Sequence, residues 1–382
     1  MLSEQGWPYA SAASTGPDDP GRFRALFGRD ALITSLQVLP ARPDVARASL
    51  RALAARQGQH EDEITLEQPG KIGHEFRDHP PPSFVAGGWP AEQPFHYWAT
   101  ADATSWFLVV LDALADPELT AELRPAWQAA AGWLERSLVA GNGLIRHRPG
   151  SRAGLSQQGW RDASDTTVLT KGAGVLRPDG TRPAPPLADA DTQAVTVAAL
   201  RALARLTGDT RWSGRADRLR ALLTERFLPD VVLLEAGDRP VIGAGSQLGW
   251  LLWADAVEPV AVAAVADRLC QPDITTGYGL RTLAATAPAF DWQGYHRGGS
   301  WPFDSWLGWA GLRAAGWTEA ADRLRRGVLG ALDELGDYPE LYLIDLAGTL
   351  HPAPAGNRIQ AWTVGAAWAL QHGWDGRPGG SG

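Results

Sequence analysis

The chain has 382 residues, 45% apolar and 20% charged, a globular composition that excludes disorder as the dominant state. Its 35 basic and 43 acidic residues leave a net charge of −8, which argues against a general nucleic-acid surface. Cys270 is the sole cysteine, so an internal disulfide and a cysteine-based zinc site are both excluded.

The first residues, Met1 to Pro8, lack a basic stretch followed by an apolar run, and no window holds 18 apolar residues. A cytoplasmic protein without a membrane span is expected. No linker divides the chain, so one domain is expected over 1–382, with an N-terminal extension at 1–26 and a flexible tail at 375–382. Apolar residues at helical spacing predict eleven helices. In chain order they cover Arg29–Leu39, Pro43–Gln57, Ala99–Ala115, Pro117–Ala140, Asp189–Thr207, Thr210–Phe227, Ser246–Ala254, Pro259–Cys270, Trp301–Ala315, Thr318–Leu335 and Arg358–Gln371. They come mostly as pairs with short turns. Between pairs lie long segments, His60–Trp98, Gly141–Leu187 and Pro272–Ser300, rich in aromatic, charged and glycine residues. Gly172–Leu187 reads as a surface loop. Paired helices with long loops gathered at one end predict an all-α fold, an (α/α)6 toroid one helix short of twelve.

Common site signatures fail. Gly172-Ala173-Gly174 lacks the third glycine of a dinucleotide fingerprint, and there is no P-loop and no nucleophile elbow. His74 and His79 are five apart, where a zinc-protease helix needs four. No metal and no organic cofactor is called for. What remains are carboxylates set among glycine, tryptophan and arginine in loops. They stand in Phe27-Gly28-Arg29-Asp30, in Gln157 to Asp165, in Tyr295 to Asp304, and in Asp337-Tyr338-Pro339-Glu340-Leu341-Tyr342. Asp30 and Asp304 also suit the positive ends of helices. The 18 tryptophans serve core packing as readily as they offer flat faces to a sugar. Carboxyl groups in aromatic surroundings fit glycoside hydrolysis, which needs a protonated acid on one side of the sugar and a second carboxylate on the other.

The order of these blocks resembles the catalytic region of amylo-α-1,6-glucosidase and glycogen debranching enzymes, and more distantly the inverting α-glycosidases built on an (α/α)6 barrel. The blocks are Phe27-Gly28-Arg29-Asp30-Ala31-Leu32-Ile33, Gly70 to Arg77, Thr100-Ala101-Asp102-Ala103-Thr104, Gln158-Gly159-Trp160-Arg161-Asp162, Tyr295 to Asp304, Pro339-Glu340-Leu341-Tyr342 and Gln360-Ala361-Trp362. The resemblance spans about Phe27 to Trp368. It implies an inverting hydrolase of α-glucosidic linkages, with Asp162 as general acid and Glu340 as general base, needing no cofactor. Arg29, Asp30, Trp160, Arg161, His296, Arg297, Trp301 and Asp304 would line the sugar pocket. Glu75, Asp102 and Trp362 are further candidates, and Asp165 is the second choice for the acid. Trp106 and Trp362 also fit helix cores.

Two departures bear on the substrate. Only about 26 residues precede the first block, too few for the β-rich domain the family usually carries. Asp191-Thr192-Gln193 stands where the family usually has Glu-x-Gln. Both point toward a smaller substrate than a polymer, such as a short glucoside, a trehalose-like disaccharide or a glycosylglycerate. A sugar epimerase on the same toroid and a non-catalytic carbohydrate-binding relic are the competing readings.

Overall fold

The computed structural model describes residues 1–12, 23–354 and 356–377, the side chains of 168–170 excepted. Its helices are α1 (Gly28–Gln37), α2 (Pro43–Ala54), α3 (Pro82–Ala86), α4 (Ala103–Leu114), α5 (Pro117–Glu122), α6 (Arg124–Ala140), α7 (Asp165–Thr170), α8 (Ala190–Thr207), α9 (Thr210–Phe227), α10 (Gln247–Trp253), α11 (Pro259–Leu269), α12 (Pro302–Ala314), α13 (Thr318–Leu335) and α14 (Ala361–His372). The pattern of burial sorts the long ones into two layers. Every residue of α1 and α10 is buried, as is most of α4, α8, α12 and α14. A helix apolar nearly all round belongs inside. By contrast α2 buries only Val45, Ala46, Ser49, Leu50 and Leu53, and α9 only Trp212, Ala216, Leu219, Leu223 and Phe227. That one-sided spacing makes outer helices.

The inner helices pack in a closed ring, α1 on α4, α4 on α8, α8 on α10, α10 on α12, α12 on α14 and α14 back on α1. Outer helices α2, α6, α9, α11 and α13 cover it. The fold is the (α/α)6 toroid, with eleven long helices among the described residues. The tightest crossing is between α10 and α12. A Cβ on Gly249 would lie 2.5 Å from the Gly308 Cα, so only glycine admits this approach.

The segment expected as one helix over Pro117–Ala140 is two, because Pro125 cannot donate the backbone bond that would continue α5. Short strands and the small helices α3 and α7 are not apparent from helical periodicity. They occupy the long loops. Strands β1 (Leu26–Phe27), β2 (Glu75–Arg77) and β3 (Phe95–Tyr97) form one antiparallel sheet, and β4 (Leu155–Gln157) pairs with β5 (Ala163–Ser164). Strands β6 (Ala188–Asp189), β7 (Val231–Glu235) and β8 (Arg239–Ile242) form another sheet, and β9 (Tyr342–Ile344) pairs with β10 (Leu350–Pro352). These pairings satisfy backbone groups that loops beside a core would otherwise strand.

Gly172–Leu187 is only partly a surface loop. Residues 172–176 are buried and 178–182 are exposed. Positive φ at Gly172 and Gly174 lets this stretch pass under Gly294 and Gln157, where a side chain would collide. The N-terminal segment is also tied down. The Ala361 amide donates to the Ala10 carbonyl at 2.8 Å, and Ser11 bridges to Gln360. At the other end Asp375 is buried and its carbonyl accepts from Trp253 Nε1 at 3.0 Å. The rest of the expected tail, 378–382, lies outside the described residues.

Inner-to-outer connections are short and outer-to-inner ones long. Every inner helix therefore begins at the loop-rich end, and the residues around the six inner N-termini converge there.

Candidate active site

Pairing of β1 with β2 sets Phe27 opposite Glu75 and delivers α1 with Arg29 and Asp30 in its first turn. Gly28 is required at this start, since a Cβ would sit 2.1 Å from the Gly73 carbonyl oxygen. Arg29 is 2% exposed and ringed by acceptors. Its Nε donates to both oxygens of Asp102 at 2.9 Å, and its Nη1 to Asp162 Oδ2 at 2.9 Å. Its Nη2 faces the carbonyls of Gln158 and Gly159 at 3.2 and 2.9 Å and the Thr100 hydroxyl at 3.3 Å. Asp102 precedes α4 and also accepts from Thr100 Oγ1 at 2.9 Å.

Asp162 sits between β4 and β5. Its side chain keeps 29% exposure, and its Oδ1 makes no hydrogen bond to the described protein, whereas Oδ2 is held by Arg29. Burial pushes its carboxyl up to about 6, against the pull of Arg29. Glu340 stands just ahead of β9. Its Oε1 accepts from Tyr295 Oη at 2.7 Å. Its Oε2 accepts from the Asn357 amide at 3.0 Å and from Asn357 Nδ2 at 3.1 Å. Asp30 lies between the two. Burial raises its carboxyl to about 8, Arg29 opposing, with Asp162 and Glu340 both adding to the rise. Gln360 Nε2 donates to Asp30 Oδ1 at 3.1 Å, and Asn357 Nδ2 donates to Gln360 Oε1 at 3.0 Å. A continuous set of hydrogen bonds and neighbouring side chains thus runs from Asp162 through Arg29, Asp30, Gln360 and Asn357 to Glu340.

Behind this row stands an aromatic wall. Trp301 stacks on His296 with centroids 5.1 Å apart, Trp160 meets both edge-on, and Trp362 stacks on Phe303 at 4.1 Å. Burial, then Arg161 and Arg29, hold the His296 imidazole well below its ordinary value, so it is neutral. Its Nδ1 accepts from the Gly174 amide at 2.9 Å.

Several expected sugar contacts are placed elsewhere. Arg161 turns away from Asp162, beneath Trp160, where it pairs with Asp191 and donates to Ser246 Oγ at 3.0 Å. Asp304 is wholly buried and accepts from Trp250 Nε1 at 2.6 Å. It braces Trp250, which stacks on Trp160, and it has no surface to offer a hydroxyl. Trp160 and Trp301 are likewise buried and form the wall rather than open platforms. Asp165 begins α7 with its side chain 63% exposed and paired with Arg182 at 2.6 Å. Against some desolvation, Arg182 and Ser156 hold its carboxyl below the ordinary value, which disfavours the proton an acid must carry. Glu75 pairs with Arg77 on β2. Arg297 lines a small cavity together with Arg161, His296, Leu176, Thr282 and Leu283. Arg29, expected to grip hydroxyls, has its guanidinium turned toward protein acceptors. Tyr295, Asn357 and Gln360 join the site without being among the expected residues. Tyr295 and Gln360 stand inside the blocks quoted above, but nothing in the sequence ties Asn357 to Glu340.

Among the described residues no group of three or more His, Cys, Asp or Glu side chains is arranged to hold a metal ion. No helix there is long and apolar enough to cross a membrane. A separate cleft of about 500 Å³ lies between the N-terminal segment and α2, far from the carboxylates. Its Arg47 and Arg51 are already paired with Asp116 and Glu122.

Residues 30–363 match the model of the mannosylglycerate hydrolase MGH1-like glycoside hydrolase domain. The chain belongs to this family. It is a glycoside hydrolase, and the family is the MGH1-like one rather than that of the debranching enzymes. No curated protein matches the chain. The fold is similar to that of the GH63 mannosylglycerate hydrolase from Thermus thermophilus, solved with Tris. Identity is 18%, coverage 96% of each chain, and the TM-score 0.67. The same enzyme with Tris and D-glycerate gives the same values, and with glucose a TM-score of 0.65. A wild-type glycosidase structure is similar at 16% identity, covering 99% of this chain and 94% of its own, with a TM-score of 0.58.

Proposed function

We propose that the chain hydrolyses a small α-linked hexosylglycerate by single displacement with inversion, Asp162 being the acid and Glu340 the base. The observation that carries this reading is the contrast between the two carboxyl groups. Burial favours the protonated form of Asp162 at mildly acidic pH, and one of its oxygens has no hydrogen-bond partner among the described residues. Glu340 instead receives three donors, the arrangement that suits a carboxylate. Asp162 gives its proton to the glycosidic oxygen as the bond to the anomeric carbon breaks. Glu340 takes a proton from the water whose oxygen bonds to that carbon from the opposite face. Turnover leaves Asp162 ionised and Glu340 protonated, and exchange with solvent restores both. Room for the water requires the carboxyl groups to stand roughly 6.5–9.5 Å apart.

The glycerate aglycone is supported by the family to which the chain belongs and by the D-glycerate found with a relative of the same fold. The test is release of sugar from mannosylglycerate, glucosylglycerate, maltooligosaccharides and trehalose, with the fresh product read by proton NMR. Release of the inverted β-sugar from a hexosylglycerate, lost in Glu340→Gln, is expected. A retained α-anomer overturns the mechanism, and preference for a maltooligosaccharide overturns the substrate.

A further inference from the structure

Arg29 makes five side-chain links to protein acceptors, to Asp102, Asp162, Thr100, Gln158 and Gly159. Its Nη1 meets one oxygen of Asp162, Oδ2, at 2.9 Å. Its Nη2 meets the two carbonyls, of Gln158 and Gly159, that lead into Asp162. The fork thereby holds both the carboxyl group and the turn that carries it. An arginine only donates, and in a neutral acid the carbonyl-type oxygen accepts more strongly than the hydroxyl oxygen, so the oxygen facing Nη1 is the one best left unprotonated. The proton of the neutral acid belongs on Oδ1, the oxygen without a hydrogen-bond partner among the described residues.

Asp102 completes the device. It is fully buried, takes Arg29 Nε on both oxygens, and is itself held by Thr100. Its negative charge offsets that of the guanidinium, so Asp162 can accept a hydrogen bond from Arg29 without being forced to ionise. We propose that the Arg29–Asp102 pair is a positioning unit that selects Oδ1 of Asp162 as the oxygen carrying the transferable proton and keeps that proton in place. This rests on the reading of Asp162 as the acid.

Among the described residues, the titratable groups acting on Asp162 include Arg29 and Asp30 from α1, Asp102 from the start of α4 and Tyr97 from β3. Glu340 lies beyond Asp30, and Glu75 beyond Tyr97. His296, also near Arg29, is neutral. Burial is the largest influence on Asp162 and raises it. Next comes Arg29, which lowers it, while Asp102 raises it. The two partners therefore act in opposite directions, and removing them one at a time separates their effects from damage to the fold.

The experiment uses the full chain with two substrates, a hexosylglycerate and the matching α-glycosyl fluoride. Fluoride leaves without a proton, so its release needs the base and the sugar site but hardly the acid. Asp102→Asn keeps the shape of the side chain and removes its charge. It should move the alkaline limb of kcat/KM on the glycerate to lower pH, by about half a unit or more. Arg29→Gln should move that limb to higher pH. It should also cut turnover of the glycerate about tenfold or more, a clearly larger factor than the loss on the fluoride. Arg29→Lys, which restores one donor, should recover part of the loss on the glycerate.

A limb that Asp102→Asn leaves in place or moves upward overturns the proposal. So does an equal loss on both substrates in a folded Arg29→Gln. Where Arg29→Gln does not fold, Asp102→Asn decides alone. A wild-type chain that hydrolyses neither substrate, or an Asp162→Asn variant with normal turnover of the glycerate, overturns the assignment of the acid itself. An active wild type with an unmoved limb overturns only the role given to the pair.

Discussion

Replacing Asp162 by Asn should abolish turnover and yet stabilise the protein at alkaline pH. The carboxyl is displaced by burial from 3.8 to about 6. A displacement of that size corresponds to roughly 3 kcal/mol between the protonation states. Because the folded-state value is the raised one, ionisation works against the fold. Asp162 costs nothing below about pH 4, progressively more as pH rises toward about 6, and the full amount above that. Asn resembles the protonated acid in shape and charge and never ionises. Thermal unfolding followed at pH 4 and pH 8 should therefore give similar midpoints for both proteins at pH 4 and a variant several degrees more stable at pH 8. Over the same range wild-type kcat/KM should fall about tenfold per pH unit above about pH 6, as the protonated fraction falls. A variant less stable than wild type at pH 8, or a wild-type rate level to pH 9, refutes the argument that burial holds the proton on this group.

Asn357→Ala removes one charge-assisted donor from Glu340, and the loss of about 1.5–3 kcal/mol should appear as a ten- to hundredfold drop in kcat, measured by sugar release. Asp165→Asn should leave kcat and its pH profile unchanged, since that side chain is exposed and paired with Arg182. A drop comparable to that of Asp162→Asn would return Asp165 to the mechanism. Gly249→Ala puts a Cβ 2.5 Å from Gly308. It should cost about 1–3 kcal/mol, read in denaturant unfolding, with turnover per folded molecule nearly kept.

The helical layers are legible in the sequence because burial writes itself into spacing. The stripe Val45, Leu50 and Leu53 can belong only to a helix with one wet face, and the unbroken apolar run of Trp106 to Leu111 only to one without. The blocks around Arg29, Asp162, His296 and Glu340 are legible too, since loop glycines, tryptophans and carboxylates stand out from a background of Ala, Leu and Arg. The small strands are not. The two residues of β1, β5 or β6 carry no period, and β1 and β6 pair with partners some 44 to 50 residues further along the chain.

Tertiary structure alone decided what surrounds each site residue. Arg161 and Asp162 are neighbours in the sequence, and their side chains part, one beneath Trp160 to Asp191 and one to Arg29. Asp162 and Asp165 look alike in one dimension. In three dimensions burial raises the first beside Arg29 and Asp102, and the second is 63% exposed and paired with Arg182. Asn357 meets Glu340 because the loop ahead of α14 folds back beside β9. Local spacing is set by the energetics of a single helix, so one chain segment is enough to reveal it. A carboxyl group's protonation and partners depend on what surrounds it in space, and those surroundings come from segments up to 330 residues apart.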